Sequence, residues 1–301
     1  MEKILLTGAT GFLGSYLARA LLKKGYKVFA LKREHSNLYR LLDIKDQIKF
    51  YDLEHLDLKD LFIENGPFKF VIHCATCYGR SGESSEEIFE SNVSFPTKLL
   101  LASITFNTVT FINTDTFFNT EIIYSSHLND YARSKKKFIE MAHQIVEGTE
   151  NQFINIKLEH VYGPHDGDTK FIVWLIRSCI DNHSEIKLTI GEQQRDFIYI
   201  DDVISAYMTL IARHQEFGNG LHQVSVGTGQ SISIRALAEM VHLLTGSKSQ
   251  LQFGHIPYAR HELMHSGANL TQMANLNWKP LISLDKGLKI IINSEMQKKR
   301  I

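Results

Sequence analysis

Short apolar runs alternate along the chain with longer stretches in which apolar residues recur every three or four positions. Lys3–Thr7 is the first run; glycines follow at once, and Leu13, Leu17, Leu21 and Leu22 then mark one face of a helix. After Gly25 a second run occupies residues 27–31. Strand, helix and strand in this order form a βαβ unit. Further runs at 68–74, 108–113 and 153–158 are separated by helix-like stretches at 86–106 and 131–147. Such alternation predicts an α/β fold, a doubly wound parallel sheet with helices on both faces. Beyond Gly163-Pro164 the pattern breaks into shorter pieces: a helix at Phe171–Ile180, a strand near 187–190, a helix around 233–244 and a last helix after Asn277-Trp278-Lys279-Pro280. The expected organisation is a sheet domain over residues 1–163, to which the segment near 191–215 returns, and a smaller α+β domain over 164–301. With five prolines and no Ser/Gly tract, a flexible linker is not expected.

Composition narrows the partners. The 301 residues are 44% hydrophobic and 22% charged, as in an ordinary globular chain. Lys+Arg and Asp+Glu are both 33, so no net charge collects nucleic acid or an anionic bilayer, and a small molecule is the expected partner. No stretch approaches the roughly 20 apolar residues of a membrane span, and the first apolar run is too short for a signal peptide. Three cysteines form no even framework. A reducing, cytoplasmic setting is the expectation.

The loop Gly8-Ala9-Thr10-Gly11-Phe12-Leu13-Gly14 joins the first strand to the first helix. Glycines there permit a tight turn and close backbone approach to a pyrophosphate, and the helix N-terminus offers free N–H groups. The loop therefore predicts dinucleotide binding, through Gly8, Thr10, Gly11, Phe12, Leu13 and Gly14. At the end of the second strand stand Lys32 and Arg33 rather than the carboxylate that meets an unphosphorylated ribose. Cations suit a 2′-phosphate, so NADPH/NADP is expected over NADH, although the same charges would also suit a solvated strand end. Asp52 and Leu53 are placed to meet the adenine end.

Tyr131 and Lys135, four apart on a predicted helix, share a face. An ammonium beside a phenol lowers its pKa and makes a tunable acid. Thr114, at the end of the run 108–113, is the candidate hydroxyl for the reacting oxygen.

The glycine loop, Thr114, Tyr131 and Lys135 resemble the extended short-chain dehydrogenase/reductase family of nucleotide-sugar epimerases, dehydratases and reductases. Further matches run along nearly the whole chain: His73-Cys74-Ala75, Asn92, Val161-Tyr162-Gly163-Pro164, Arg195-Asp196-Phe197 with Asp201-Asp202-Val203, and Trp278-Lys279-Pro280. The resemblance implies a Rossmann-type fold, and catalysis by Thr114, Tyr131 and Lys135. It adds Cys74, Ala75, Thr76, Asn92, Tyr131, Lys135, Leu158, His160 and Val161 to the cofactor contacts, Lys135 for the nicotinamide ribose, although His160 could equally be a satisfied interior histidine. Thr76, Tyr78, Asp115, Thr116, Arg195 and Arg260 become substrate contacts, the two arginines for a diphosphate unless they are plain surface charges.

Segments 111–118, 158–164 and 191–197 narrow the likeness to reductases of CDP-sugars. They imply NADPH-dependent reduction of the C4 ketone of CDP-4-keto-3,6-dideoxyglucose, a step toward a dideoxy sugar of lipopolysaccharide O-antigen. The opposite C4 configuration and a 4-epimerase stay open. Thr114-Asp115-Thr116 lacks the second carboxylate with which dehydratases of the family eliminate water. A non-catalytic NADP(H) sensor on the same fold would not need Thr114, Tyr131 and Lys135.

Cys74-x-x-Cys77 has no second ligand pair, so small apolar fillers are expected there and no metal site. In this family the helices at 86–106 and 131–147 often pair in a homodimer. Phe138, Met141, Ala142 and Ile145 would suit that face or the face against the sheet.

Overall fold

The protein is described from a computed structural model, which places residues 1–118, 129–260 and 262–299. The chain opens with β1 (Lys3–Thr7), α1 (Phe12–Lys23), β2 (Lys27–Lys32), β3 (Ile48–Asp52), α2 (Leu58–Asn65) and β4 (Phe70–His73). Next come α3 (Ser85–Phe89), α4 (Phe95–Thr105), β5 (Thr110–Thr116), α5 (Asn129–Val146) and β6 (Gln152–Leu158). Then follow β7 (His160–Tyr162), α6 (Phe171–Ile180), β8 (Glu185–Lys187), β9 (Gln194–Tyr199), α7 (Ile200–Ala212) and β10 (Gly220–Val226). The last elements are β11 (Ser231–Ser233), α8 (Ile234–Thr245), β12 (Gln250–Gln252), α9 (Thr271–Asn275) and α10 (Leu284–Lys298).

Two compact units result: Met1–Lys157 with Ile204–Val224, and Leu158–Val203 with Ser225–Ile301. The chain thus leaves the first unit before Gly163-Pro164. It returns at Ile204 rather than near 191, because β9 pairs with β7 and β11 and stays in the second unit.

The first unit is built on a seven-stranded sheet in the order β10-β6-β5-β4-β1-β2-β3. β1 runs parallel to β2 and β4, β2 to β3, and β4 to β5. Strands buried on both faces read as unbroken apolar runs, and Ile4, Leu5, Leu6, Val71 and Ile72 are all fully buried. On one side Leu5, Phe29, Phe68, Phe111 and Phe153 join Phe138, Ala142 and Val146 of α5 in a single cluster. Phe138 and Ala142 therefore face the sheet. The strand order reverses between β1 and β4, where the crevice outside the carboxyl ends is the usual ligand site of such folds.

The single helix expected over 86–106 is interrupted. A π-helical turn at Glu90–Ser94 separates α3 from α4 and turns Asn92 inward until it is 1% exposed. In the second unit a three-stranded sheet runs β11-β9-β7, with β12 and β8 forming a parallel pair. The strand expected near 187–190 lies at Glu185–Lys187, its register set by β12 rather than by the apolar Leu188 and Ile190.

Candidate active site

At the switch point of the first unit, Thr7 and His73 are register partners at the ends of β1 and β4. The Thr7 hydroxyl accepts from the Ala75 N–H (3.1 Å) and shares a hydrogen bond with His73 Nδ1 (2.8 Å). Gly8 has φ +72°, and a Cβ there would lie 2.6 Å from the Ala75 nitrogen. A Cβ on Gly14 would lie 2.1 Å from the Gly8 carbonyl oxygen. Only glycine lets loop, helix and strand close up this far. The N-cap of α1, Gly11, provides no side-chain bond to the first-turn N–H groups, and no acidic residue occupies that turn. The loop therefore fits a dinucleotide pyrophosphate: unclaimed donors, positive helix end, and backbone bare of side chains.

Among the expected ribose-end residues, the Lys32 ammonium is bound to the Asp52 carboxylate. Arg33 is exposed, and its positive field reaches Cys77 and Glu83. Leu53 begins a short 3-10 turn directly after β3.

Asn92, delivered by the π-turn, uses its whole amide. Its Oδ1 accepts from the Cys77 N–H (2.8 Å) and the Thr76 hydroxyl (3.1 Å); its Nδ2 donates to the Cys77 carbonyl (2.8 Å) and to Ser134 Oγ (3.0 Å). Ser134 in turn donates to the Tyr131 carbonyl (2.8 Å). The segment after β4 is thereby tied to the turn of α5 that carries the tyrosine.

Lys135 is buried and donates to the Thr114 carbonyl oxygen at 2.8 Å. Burial pulls its pKa below the usual lysine value, with Asp115 and Cys74 opposing. Tyr131, 5% exposed, lies against the half-open Tyr78 ring at 4.9 Å, and the Arg80 guanidinium stands 5.3 Å over Tyr78. Burial raises the Tyr131 pKa well above 10, Tyr78 and Asp115 push the same way, and the hydrogen bond from Thr116 opposes them. The expected depression by Lys135 is absent: its ammonium is spent on the Thr114 carbonyl, and desolvation dominates the phenol. Tyr131 is held as a neutral proton donor.

The two threonines of β5 divide the work. Thr114 and Thr116, two apart, share a face of the strand. The Thr114 hydroxyl is bonded to Tyr207 Oη (2.7 Å) and Cys74 Sγ (3.2 Å), whereas Thr116 meets Tyr131. Cys74 is thus a sulfur acceptor rather than an inert filler, its thiol pushed up to about 11 by burial. Asp115, expected among the substrate contacts, lies on the opposite face and is buried. It accepts from Asn155 Nδ2 (2.9 Å) and from the Thr116 N–H (2.8 Å), so its influence on the site is through its field.

In the second unit, Leu158 ends β6 and is buried, while His160 and Val161 pair with Phe197 and Ile198. Burial, then Arg195 and Lys170, drive the His160 pKa down, leaving the ring neutral. Arg195 is buried and ion-paired to Glu262 (2.7 Å), while Arg260 is exposed. Asp196 accepts from the N–H groups of Thr228, Gly229 and Ala268 at 2.9, 2.9 and 3.1 Å. Asp202 accepts from those of Leu281 and Ile282, both at 2.9 Å. These motif acids are braces of the unit.

Sequence reasoning passed over Tyr207, Arg80, Ser134 and Glu262. Ser134 had a signal, lying three residues after Tyr131 inside the Tyr-x-x-x-Lys spacing; Tyr207 had none, since nothing local in α7 points to Thr114.

A glycine loop at the reversal of a Rossmann-type sheet, with a tyrosine and a lysine one turn apart beside the end of β5, defines the short-chain dehydrogenase/reductase class of enzyme. The NAD dependent epimerase/dehydratase family matches residues 4–227, and the chain belongs to that family. It is 35% identical to the CDP-abequose synthase of Salmonella muenchen over 293 residues, 97% of this chain and 97% of that one. Its fold is similar to that of UDP-glucuronic acid 4-epimerase from Bacillus cereus, solved with UDP-glucuronic acid and NAD (TM-score 0.83, 22% identity, 98% of this chain and 99% of that one). UDP-glucose 4-epimerase from Thermotoga maritima is similar too (TM-score 0.82, 20% identity, 99% of both chains).

Proposed function

We propose that the protein reduces the C4 ketone of CDP-4-keto-3,6-dideoxyglucose to CDP-abequose, using NADPH, as a cytoplasmic step toward an O-antigen dideoxy sugar. The likeness to CDP-abequose synthase across 97% of both chains carries this reading. A neutral Tyr131 supports it from the chemistry, because reduction of a ketone needs a proton donor at the new alkoxide. Asp115, tied to Asn155 and on the far face of β5 from Thr114, speaks against dehydration.

The glycine loop and the first turn of α1 would hold the pyrophosphate, and exposed Arg33 the 2′-phosphate, with Lys32 occupied by Asp52. A reduced nicotinamide bound there would supply the hydride for the ketone carbon. Tyr131 gives its proton to the carbonyl oxygen, and the hydrogen bond from Thr116 stabilises the phenolate left behind. Thr114 donates a hydrogen bond to the same oxygen and stabilises the charge that develops on it. Lys135 fixes the Thr114 carbonyl and would hold the nicotinamide ribose. For the diphosphate we assign Arg195 and Arg260, the first exchanging Glu262 for phosphate oxygens.

The test is NADPH oxidation with 4-keto sugars carried on CDP, dTDP, UDP and GDP, followed by product configuration by NMR. Turnover of the CDP compound to the abequose configuration is expected. Reaction with another base only, or the opposite C4 product, overturns the assignment. Tyr131→Phe should keep NADPH affinity and lose about 10²–10⁴-fold in kcat; a variant at wild-type speed removes Tyr131 from the mechanism.

A further inference from the structure

Tyr207, on α7, is completely buried, and its hydroxyl lies 2.7 Å from Thr114 Oγ1, with Cys74 Sγ 3.2 Å from the same threonine oxygen. A buried phenol must place its proton on an acceptor. A threonine hydroxyl has one proton and two lone pairs, so the direction of the Tyr207 bond decides what Thr114 has left. Tyr207 also meets Cys74; if Thr114 gave its proton to Tyr207, the phenol would have to settle its own proton on that sulfur, a weak acceptor, and Thr114 would face a ketone oxygen with lone pairs alone. If Tyr207 gives its proton to Thr114, the threonine proton falls to sulfur, a weak acceptor, and is easily redirected to a better one. The bonds then run in one sense from Tyr207 through Thr114, and each polarises the next.

We propose that Tyr207 is a positioning residue that donates its hydroxyl proton to Thr114 Oγ1 and thereby aims the Thr114 proton at the reacting ketone oxygen. The proposal rests on the reading of Thr114 as the hydroxyl that meets that oxygen. Burial raises the Tyr207 pKa well above 10, in keeping with a phenol that stays a donor at every working pH. Thr114 itself is only partly buried, while Asn113, Asp115 and Thr116 on either side are buried.

Single-turnover NADPH oxidation with the 4-keto sugar, in a double-mutant cycle of Tyr207→Phe and Thr114→Val, tests it. Tyr207→Phe should slow the hydride step about tenfold, the effect of one misdirected hydrogen bond, with KM for the sugar unchanged. On the Thr114→Val background it should slow nothing further. Equal losses on both backgrounds mark a merely structural role and overturn the proposal, as does Tyr207→Phe at wild-type speed beside a slow Thr114→Val. Thr114→Val at wild-type speed overturns the reading of Thr114 itself. Should Tyr207→Phe fail to fold, 3-fluorotyrosine at position 207, a stronger donor of nearly the same size, must accelerate the step; an unchanged or slower rate counts against the proposal.

Discussion

Tyr131 shows how far burial outweighs a neighbouring charge at a single residue. The phenol loses more by leaving water than it gains from any cation near it, and its proton stays on. The sign for catalysis follows. On the proposed mechanism the protonated form is the acid, so activity persists while pH stays below the phenol pKa and disappears as pH rises through it. The profile of kcat/KM for the 4-keto sugar, which reports the enzyme with the coenzyme bound, should be flat between about pH 7 and pH 9 if burial still governs the phenol there. An alkaline midpoint near 7 would mean that burial no longer governs it. The Tyr-x-x-x-Lys spacing was plain in the sequence; the direction of the pKa shift was not, because Tyr78, Asp115 and the Thr114 carbonyl come together only across strand and helix.

At the level of elements, the β1–α1 connection and the π-turn between α3 and α4 set the geometry of the site. Gly14 opens the first turn of α1, and any Cβ there collides with the Gly8 carbonyl at 2.1 Å. On the proposed reading Gly14→Ala should therefore weaken NADPH binding by at least about tenfold, as the loop backbone shifts away from where the pyrophosphate would sit. Gly218→Ala, where a Cβ would meet nothing within 4 Å, serves as the control and should bind as the wild type does, both read by nicotinamide fluorescence titration. The glycine loop could be read from its position between strand and helix. The π-turn could not: residues 86–106 keep helical periodicity throughout, and the extra residue is held by the four hydrogen bonds of Asn92 to Thr76, Cys77 and Ser134.

For the molecule as a whole, burying a neutral imidazole makes stability depend on acid. His73 sits in β4 among Phe95, Phe111 and Phe138, with Nε2 lacking a partner among the described residues. Burial, followed by Lys135, holds its pKa well below 6.5. Below that value the unfolded chain takes up a proton that the folded chain refuses, so stability present above about pH 6.5 is lost as pH falls. Between pH 7.5 and 5.5 this one residue should cost on the order of 1 kcal/mol in urea unfolding. His73→Phe, whatever its own stability, should reduce the difference between the two pH values by that amount; an unchanged difference would assign the acid sensitivity elsewhere.

The β1-α1-β2 unit, the later strands β4, β5 and β6, the parallel sheet, the glycine loop and the Tyr131/Lys135 pair were legible in the sequence, because each depends on local periodicity or fixed spacing; β3, α2 and the break between α3 and α4 were not. Where the chain leaves the first unit and returns to it was decided by strand pairing over long sequence separation, β7 with β9 and β9 with β11. Strand alternation, two residues to a repeat, sent Asp115 inward to Asn155 and left Thr114 and Thr116 on the other face. Only the packed fold brought Tyr207 to Thr114, 93 positions apart, and Glu262 to Arg195, 67 apart. Hydrogen bonds between distant segments leave no periodic trace, since any of many polar residues could have made them.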